Sequence, residues 1–182
     1  IMYVNNEVGT VQPVQEAARL VKQYKPSILF HTDAVQGYGK YRIWPKRMGI
    51  DLLTASGHKI HGPKGIGFLY IDSKVKIRPI VFGGEQQKNI RSGTENVPGT
   101  AGLGLAAKMI YQDMDMKVAL MRELKNYFIE GISKIEDTTI HGFTDEGSAP
   151  HIISVGIAGI RSEVLLHALE DKGIYVSSGS AC

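Results

Sequence analysis

Lys59 is the residue of this 182-residue chain best placed for covalent chemistry, in the turn Ser56-Gly57-His58-Lys59 directly after a β-rich run, Asp51 to Ala55. Asp33 and Gln36 follow a second such run, Ser27 to Thr32, and Asn6 follows the apolar opening Ile1 to Val4. Ligands of open α/β sheets bind beyond the carboxyl ends of the strands, so three strands here bring an amide, a carboxylate and a lysine to one edge. Each is ordinary alone, since an aspartate after a strand is usually a turn residue and a lone lysine is usually solvated. Together they are the parts that a pyridoxal cofactor requires. A lysine amine forms the Schiff base, and a carboxylate keeps the pyridinium nitrogen protonated so that the ring accepts electrons. Small hydroxyls and backbone N–H groups hold a phosphate. Gln36, three residues past Asp33, lies one helical turn on and reaches the ring's phenolic oxygen.

The elements that would carry these residues alternate. After the opening strand and a polar loop, Pro13 starts a helix whose apolar positions Val14, Ala17, Ala18 and Val21 share a face, and Pro26 ends it. The strands at 27–32, 51–55 and 66–71 come next, with the turn Gly62-Pro63-Lys64-Gly65 before the last. This order predicts an α/β domain with a mainly parallel sheet. Gly83 to Gly99 is a polar loop too long for a plain connector. From Thr100 to Ile135 the pattern is helical, with a bend over Gln112 to Lys117. A strand at 151–156, a helix at 162–172 and a strand at 174–177 then predict part of a smaller α+β domain. The expected division is 1–112 and 113–182.

Composition narrows the class. Apolar residues are 43% of the chain, enough for a packed core. Twenty-one residues are glycine, above the usual share of about 7%, which suits close backbone approach to a phosphate. The net charge of +3 is spread out, and the cluster Lys40, Arg42, Lys46 and Arg47 is interrupted by Ile43, Trp44 and Pro45, a solvated face rather than a nucleic-acid patch. No apolar run approaches the ~20 residues needed to span a membrane. One cysteine excludes an internal disulfide framework and fits a reducing compartment, the cytoplasm. No spacing among the six histidines suggests a metal site. His31 and His61 read as structural residues or as neighbours of the site without chemical duty, and Arg91 as a loop salt bridge or a contact to substrate or a neighbouring subunit.

Five segments occur in order: Val4-Asn5-Asn6-Glu7-Val8-Gly9-Thr10, His31-Thr32-Asp33-Ala34-Val35-Gln36, Ser56 to Gly67 with its Gly-His-Lys core, Arg91-Ser92-Gly93-Thr94-Glu95-Asn96, and Ser177-Ser178-Gly179-Ser180-Ala181-Cys182. In this the chain resembles the cysteine desulfurases of iron–sulfur cluster assembly, in the class V aminotransferase superfamily. The resemblance covers essentially the whole chain, and five motifs in register are highly specific.

The resemblance implies a dimeric fold-type-I pyridoxal 5'-phosphate enzyme that converts L-cysteine to L-alanine and holds the sulfur as a persulfide for a scaffold or carrier protein. It makes Lys59 the Schiff-base lysine and proton shuttle. Asp33 faces the ring nitrogen, Gln36 the ring oxygen, Ser56 and His58 the phosphate, and Asn6 the ring and the substrate carboxylate. Thr94 reaches the phosphate in the partner subunit of a homodimer, and Cys182 is the sulfur acceptor. The thiol chemistry agrees, because an accessible thiolate must attack the substrate sulfur. The Gly- and Ser-rich flank 177–181 makes a mobile arm for that thiolate, whereas a lone cysteine is otherwise a small buried hydrophobe. A class V aminotransferase would not need Cys182. A selenocysteine lyase and a non-catalytic dimerising or docking module are further readings that the residues leave open. The strand-like start and the end on Cys182 lead to the expectation of a fragment, inactive when isolated, lacking a phosphate loop, a ring-stacking histidine and a substrate-binding arginine.

Overall fold

A computed structural model describes residues 1–179 of the chain, so Cys182 and its two preceding residues lie outside the described residues. The chain forms two compact units, one from residues 1–3 and Pro13–Met114, the other from Val4–Gln12 and the chain from Asp115 onward. The first unit is built on a three-stranded sheet of β1 (His31–Asp33), β2 (Leu52–Ser56) and β3 (Gly67–Ile71), in that order. β1 and β2 are parallel, with Asp33 level with Thr54. β2 and β3 are antiparallel, with Ser56 opposite Gly67. The short link between β2 and β3 holds only one 3-10 turn, Gly57–Ile60, and cannot make the crossover that parallel pairing needs. Gly67 is required at this pairing, since a Cβ there would stand 2.5 Å from the Ala55 carbonyl oxygen.

Helix α1 (Val14–Tyr24) begins directly after Pro13 and ends before Pro26, as the prolines predict. Its buried Val14 and Ala18 pack with Phe30, Ala34, Met48, Ile50, Leu53 and Ala55 in the core of this unit. Helix α2 (Pro45–Met48) contributes Met48, and its end is set by Gly49 at φ 72°. Asp51 joins three elements: its Oδ2 accepts from Lys22 Nζ of α1 at 2.5 Å and from the Phe30 N–H at 2.6 Å, while its carbonyl accepts from Asp72 after β3.

Two of the expected strands are not formed. Ile1 to Val4 makes only isolated bridges, Met2 with Asp33 and Val4 with Val11, because the chain leaves the sheet edge after three main-chain hydrogen bonds to His31 and Asp33 and passes at Val4 into the second unit. Residues 174–177 pair with no strand among the described residues; Ile174 instead closes the preceding helix by donating to the Leu169 carbonyl past Gly173. The long loop is shorter than expected. It includes a turn, α3 (Gln86–Asn89), with left-handed Gln87 and Lys88, and gives way at Val97 rather than Thr100 to α4 (Val97–Gln112). Asn96 explains the earlier start, since its side chain caps the Gly99 N–H at 3.0 Å.

In the second unit, α5 (Met114–Ile132) follows the break at Asp113, and an antiparallel pair, β4 (Thr138–His141) and β5 (Ser154–Ile157), precedes α6 (Ser162–Glu170). β4 was not expected, although the β-branched run Thr138-Thr139-Ile140 is a strand signal. Lys125, 7% exposed, donates to the Ser148 hydroxyl and to the carbonyls of Ala149 and Ile152 at 2.8 and 2.7 Å. Arg122 adds bonds to the Asp145 and Ser148 carbonyls, so α5 holds the 145–152 loop against which Gly9 and Val11 pair.

Asp51→Ala should destabilise the chain by about 2 kcal/mol in urea unfolding, since it strands the Lys22 ammonium and the Phe30 N–H. The loss is smaller than for a sealed ion pair because the two side chains keep 27% and 20% of their exposure. Asp51→Asn, which can still accept from Phe30, should lose less; equal losses would contradict the role given to that hydrogen bond.

Candidate active site

The parallel pairing of β1 with β2 sets two turns side by side at the carboxyl ends of adjacent strands. The first turn starts at Asp33. Its Oδ1 accepts from the Val35 N–H at 2.9 Å, and the Ala34 N–H donates to the Thr54 carbonyl of β2 at 2.9 Å. Ala34 then accepts from Gly37 and Tyr38, at 3.0 and 2.7 Å. Gln36 therefore sits in a series of tight turns rather than in a regular helix. Asp33 and Gln36 are both half-buried.

The second turn is Gly57–Ile60. The Gly57 N–H donates to Ile66 at 2.8 Å, and the Gly57 carbonyl accepts from Gly62 at 2.9 Å. Glycine is needed at 57, where a Cβ would meet Ile66 and the Pro63 carbonyl at 3.0–3.1 Å. His61 ends the turn in the left-handed region, φ 63°. Ser56 Oγ lies 2.7 Å from His58 Nδ1. When the hydroxyl donates in this pair, the ring carries its proton on Nε2, a donor for an anion. Lys59 is half-buried, and its Nζ has no hydrogen-bond partner among the described residues.

Beneath Lys59 stands Lys40, whose Nζ donates to the Lys59 carbonyl at 2.8 Å. Burial, and then the neighbouring Lys59 charge, pull the Lys40 ammonium down to about 8. Sequence reasoning placed Lys40 in a solvated basic cluster and missed it. Its only signal was position, seven residues past Asp33 and directly after Gly39.

The structure thus brings Asp33, Gln36, Ser56, His58 and Lys59 onto two adjoining turns of one unit. Asn6 belongs to the other unit, in a turn where Asn5 Oδ1 accepts from the Glu7 and Val8 N–H groups, both at 2.9 Å. Thr94 is exposed on the loop before α4. On the same loop Arg91 donates to the Ser92 carbonyl at 3.1 Å. His31 is exposed with Nε2 3.4 Å from Thr54 Oγ, and His61 is exposed. A cleft of about 430 Å³ lined by Tyr3, Gln15, Arg42, Trp44, Arg47 and Met48 contains none of these residues. Among the described residues no group of three or more His, Cys, Asp or Glu side chains could hold a metal ion, and no helix is long and apolar enough to cross a membrane.

The donor set fits a phosphorylated pyridine aldehyde. Lys59 offers an amine without a competing partner among the described residues, Asp33 a carboxylate one strand away, and the Ser56–His58 pair a hydroxyl and a ring N–H for an anion.

The family model for class-V aminotransferases matches residues 1–182, and the chain belongs to that family. It is 42% identical over 183 residues to the cysteine desulfurase IscS of Dictyoglomus turgidum, covering all of this chain and 46% of the relative. It is 44% identical over 182 residues to the cysteine desulfurase IscS of Methanosarcina thermophila, covering all of this chain and 44% of that one. The chain spans about half the length of the curated relatives it matches. A solved NifS-like protein superposes with a TM-score of 0.94 at 39% identity, over 98% of this chain and 48% of that one. A NifS-like protein from Rickettsia africae gives 0.92 at 33%, over 99% and 49%. The α/β fold is the one these relatives share.

Lys40 sets a pH dependence whose sign is determined. The unfolded chain holds this proton up to about 10.5, the folded chain only to about 8, so stability rises with pH between those limits. Unfolding free energies measured at steps of pH should show the wild type gaining on Lys40→Met by about 1.4 kcal/mol per pH unit within that window. A constant difference would mean that Lys40 titrates as an exposed lysine.

Proposed function

We propose that the chain is the cofactor-binding part of a pyridoxal-phosphate-dependent cysteine desulfurase that converts L-cysteine to L-alanine and keeps the sulfur on Cys182. The observation that carries this reading is the placement of Asp33 and Lys59 at the ends of adjacent parallel strands, with the Ser56–His58 pair beside them. The similarity to proteins named cysteine desulfurase along the whole chain supports the same substrate class.

Pyridoxal phosphate, when bound, supplies an electron sink next to the substrate's α-carbon. Lys59 is the residue that bonds it and afterwards takes the α-proton as general base, for which an amine with no hydrogen-bond partner among the described residues is suited. Asp33 holds a positive charge at the ring nitrogen; its backbone-anchored carboxylate needs no reorganisation to do so. His58 Nε2 and the Ser56 hydroxyl bind phosphate oxygens, Gln36 the phenolic oxygen, and Asn6 the substrate carboxylate. Thr94 completes the phosphate site of a partner subunit in a homodimer. The Cys182 thiolate attacks the sulfur of the substrate. An S–S bond forms as the Cβ–S bond breaks, and the electron pair of that bond passes to the carbon skeleton, which is protonated and leaves as alanine. A scaffold or carrier thiol then takes the outer sulfur, and a reducing compartment such as the cytoplasm keeps Cys182 as a thiol between turnovers.

In the full-length protein, borohydride reduction followed by peptide mapping should place the pyridoxyl group on Lys59; finding it on Lys64 would remove Lys59 from this role. Cys182→Ala should keep the cofactor's colour and its spectral response to cysteine, while sulfide release falls by about a hundredfold or more. Undiminished sulfide release would show that another group accepts the sulfur.

A further inference from the structure

The proposed chemistry makes no use of Lys40, a buried cation. It is 9% exposed, its Nζ donates to the Lys59 main-chain carbonyl at 2.8 Å, and no carboxylate pairs with it among the described residues. Burying an ammonium against a neutral acceptor is costly, so the bond is a constraint rather than a source of stability.

Both ends of that constraint are informative. The acceptor lies in the last turn of a 3-10 segment, where carbonyls have no partner inside the helix. Gly57 finds its donors in His61 and Gly62, on the same turn. Lys59 finds its donor on the neighbouring one. At the other end, the Lys40 main chain belongs to the turn series that starts at Asp33: its N–H donates to the Gly37 carbonyl at 3.0 Å. The preceding Gly39 takes φ +77° and donates to the Tyr111 hydroxyl of α4 at 3.2 Å, and a Cβ there would meet Ile110 and Ile60 at 3.0–3.2 Å. The Lys40 backbone is thus locked on the Asp33 side while its amine grips the Lys59 side.

We propose that Lys40 is a positioning residue that ties the turn of Asp33 to the turn of Lys59 and so fixes where the Lys59 amine stands for bond formation with a carbonyl ligand. The proposal rests on Lys59 being the Schiff-base lysine. The strand pairing alone fixes Thr54 beside Asp33, but Lys59 is five residues further along, beyond the last ladder position. A cross-turn bond to its own carbonyl is the contact that carries the register of the sheet out to that residue. Burial first, and the Lys59 charge after it, lower the affinity of the Lys40 ammonium for its proton.

The test titrates pyridoxal phosphate into the full-length wild type, Lys40→Met and Lys40→Arg, reading Schiff-base absorbance and, after borohydride, the label on Lys59. Lys40→Met keeps the length and loses the donor and charge; its Schiff-base constant should fall about tenfold, with Lys40→Arg falling by no more than about threefold. The midpoint of the absorbance against pH should rise in Lys40→Met and stay in Lys40→Arg, because a nearby positive charge favours the neutral form of a protonatable nitrogen. Packing alone would not move that midpoint. The charged neighbour that acts on the Lys40 ammonium is Lys59, which both variants retain. A Met variant within twofold of the wild type, or equal losses in the Met and Arg variants with no shift of midpoint, would overturn the proposal and leave Lys59 in its role. A wild type labelled on another lysine would overturn the role of Lys59 and this inference together. Should Lys40→Met fail to fold, the Arg variant decides: a preserved constant and midpoint support the proposal, and a tenfold loss overturns it.

Discussion

The parallel pairing of β1 with β2 is the constraint on which the candidate site depends. Three residues of each strand are in register, with Asp33 opposite Thr54, and the Ala34 N–H continues the ladder by bonding the Thr54 carbonyl. Parallel strands leave the sheet in the same direction, so the turns after Asp33 and after Ser56 must emerge at the same edge. Asp51 guards the opposite end of the pair, where one carboxylate satisfies Lys22 and Phe30 and the Asp51 N–H bonds the Phe30 carbonyl. The sheet is thereby pinned at its amino end and free to present loops at its carboxyl end.

Those loops are held by backbone hydrogen bonds and by close contacts that permit only glycine. Gly57, Gly62 and Gly67 sit where a Cβ would come within 2.5–3.0 Å of a neighbouring atom, so the turn bearing Lys59 has little room to rearrange. Rigid main chain is combined here with an amine that has no hydrogen-bond partner among the described residues, so the Lys59 side chain keeps its torsional freedom while its origin is fixed. Lys40 extends that rigidity one step beyond the sheet, at the cost of an ammonium held in a buried place. The second unit uses the same device for a different purpose, with Lys125 buried against three neutral oxygens to hold a loop onto α5. Burial, followed by the Arg122 charge, lowers its affinity for a proton as well.

Much of this was legible in the residues. Pro13, Pro26, Gly49 and the apolar stripe of α1 are local signals, and local physics decides helix ends. The type and order of the chemical groups were legible too, because Asp33 and the Ser56 to Lys59 turn each follow a β-rich run. Less was visible of strands that depend on a partner. Ile1 to Val4 has the composition of a strand, yet it pairs at single residues because the chain turns away after Tyr3, and residues 174–177 pair with no strand among the described residues. β4 exists because β5 returns to it, a fact written sixteen residues downstream.

By itself, the sequence determined which groups are available for chemistry and that they follow strands, since residue type and local propensity are properties of the chain alone. Tertiary structure decided which of them meet. It put Asp33 beside the Lys59 turn, gave β3 an antiparallel place because its connection is too short to cross over, and assigned Asn6 to a different unit from Lys59. It also turned Lys40 from one member of a basic surface cluster into a buried donor under the site. Burial and long-range hydrogen bonding depend on what the rest of the chain packs against a residue, and no local pattern records that.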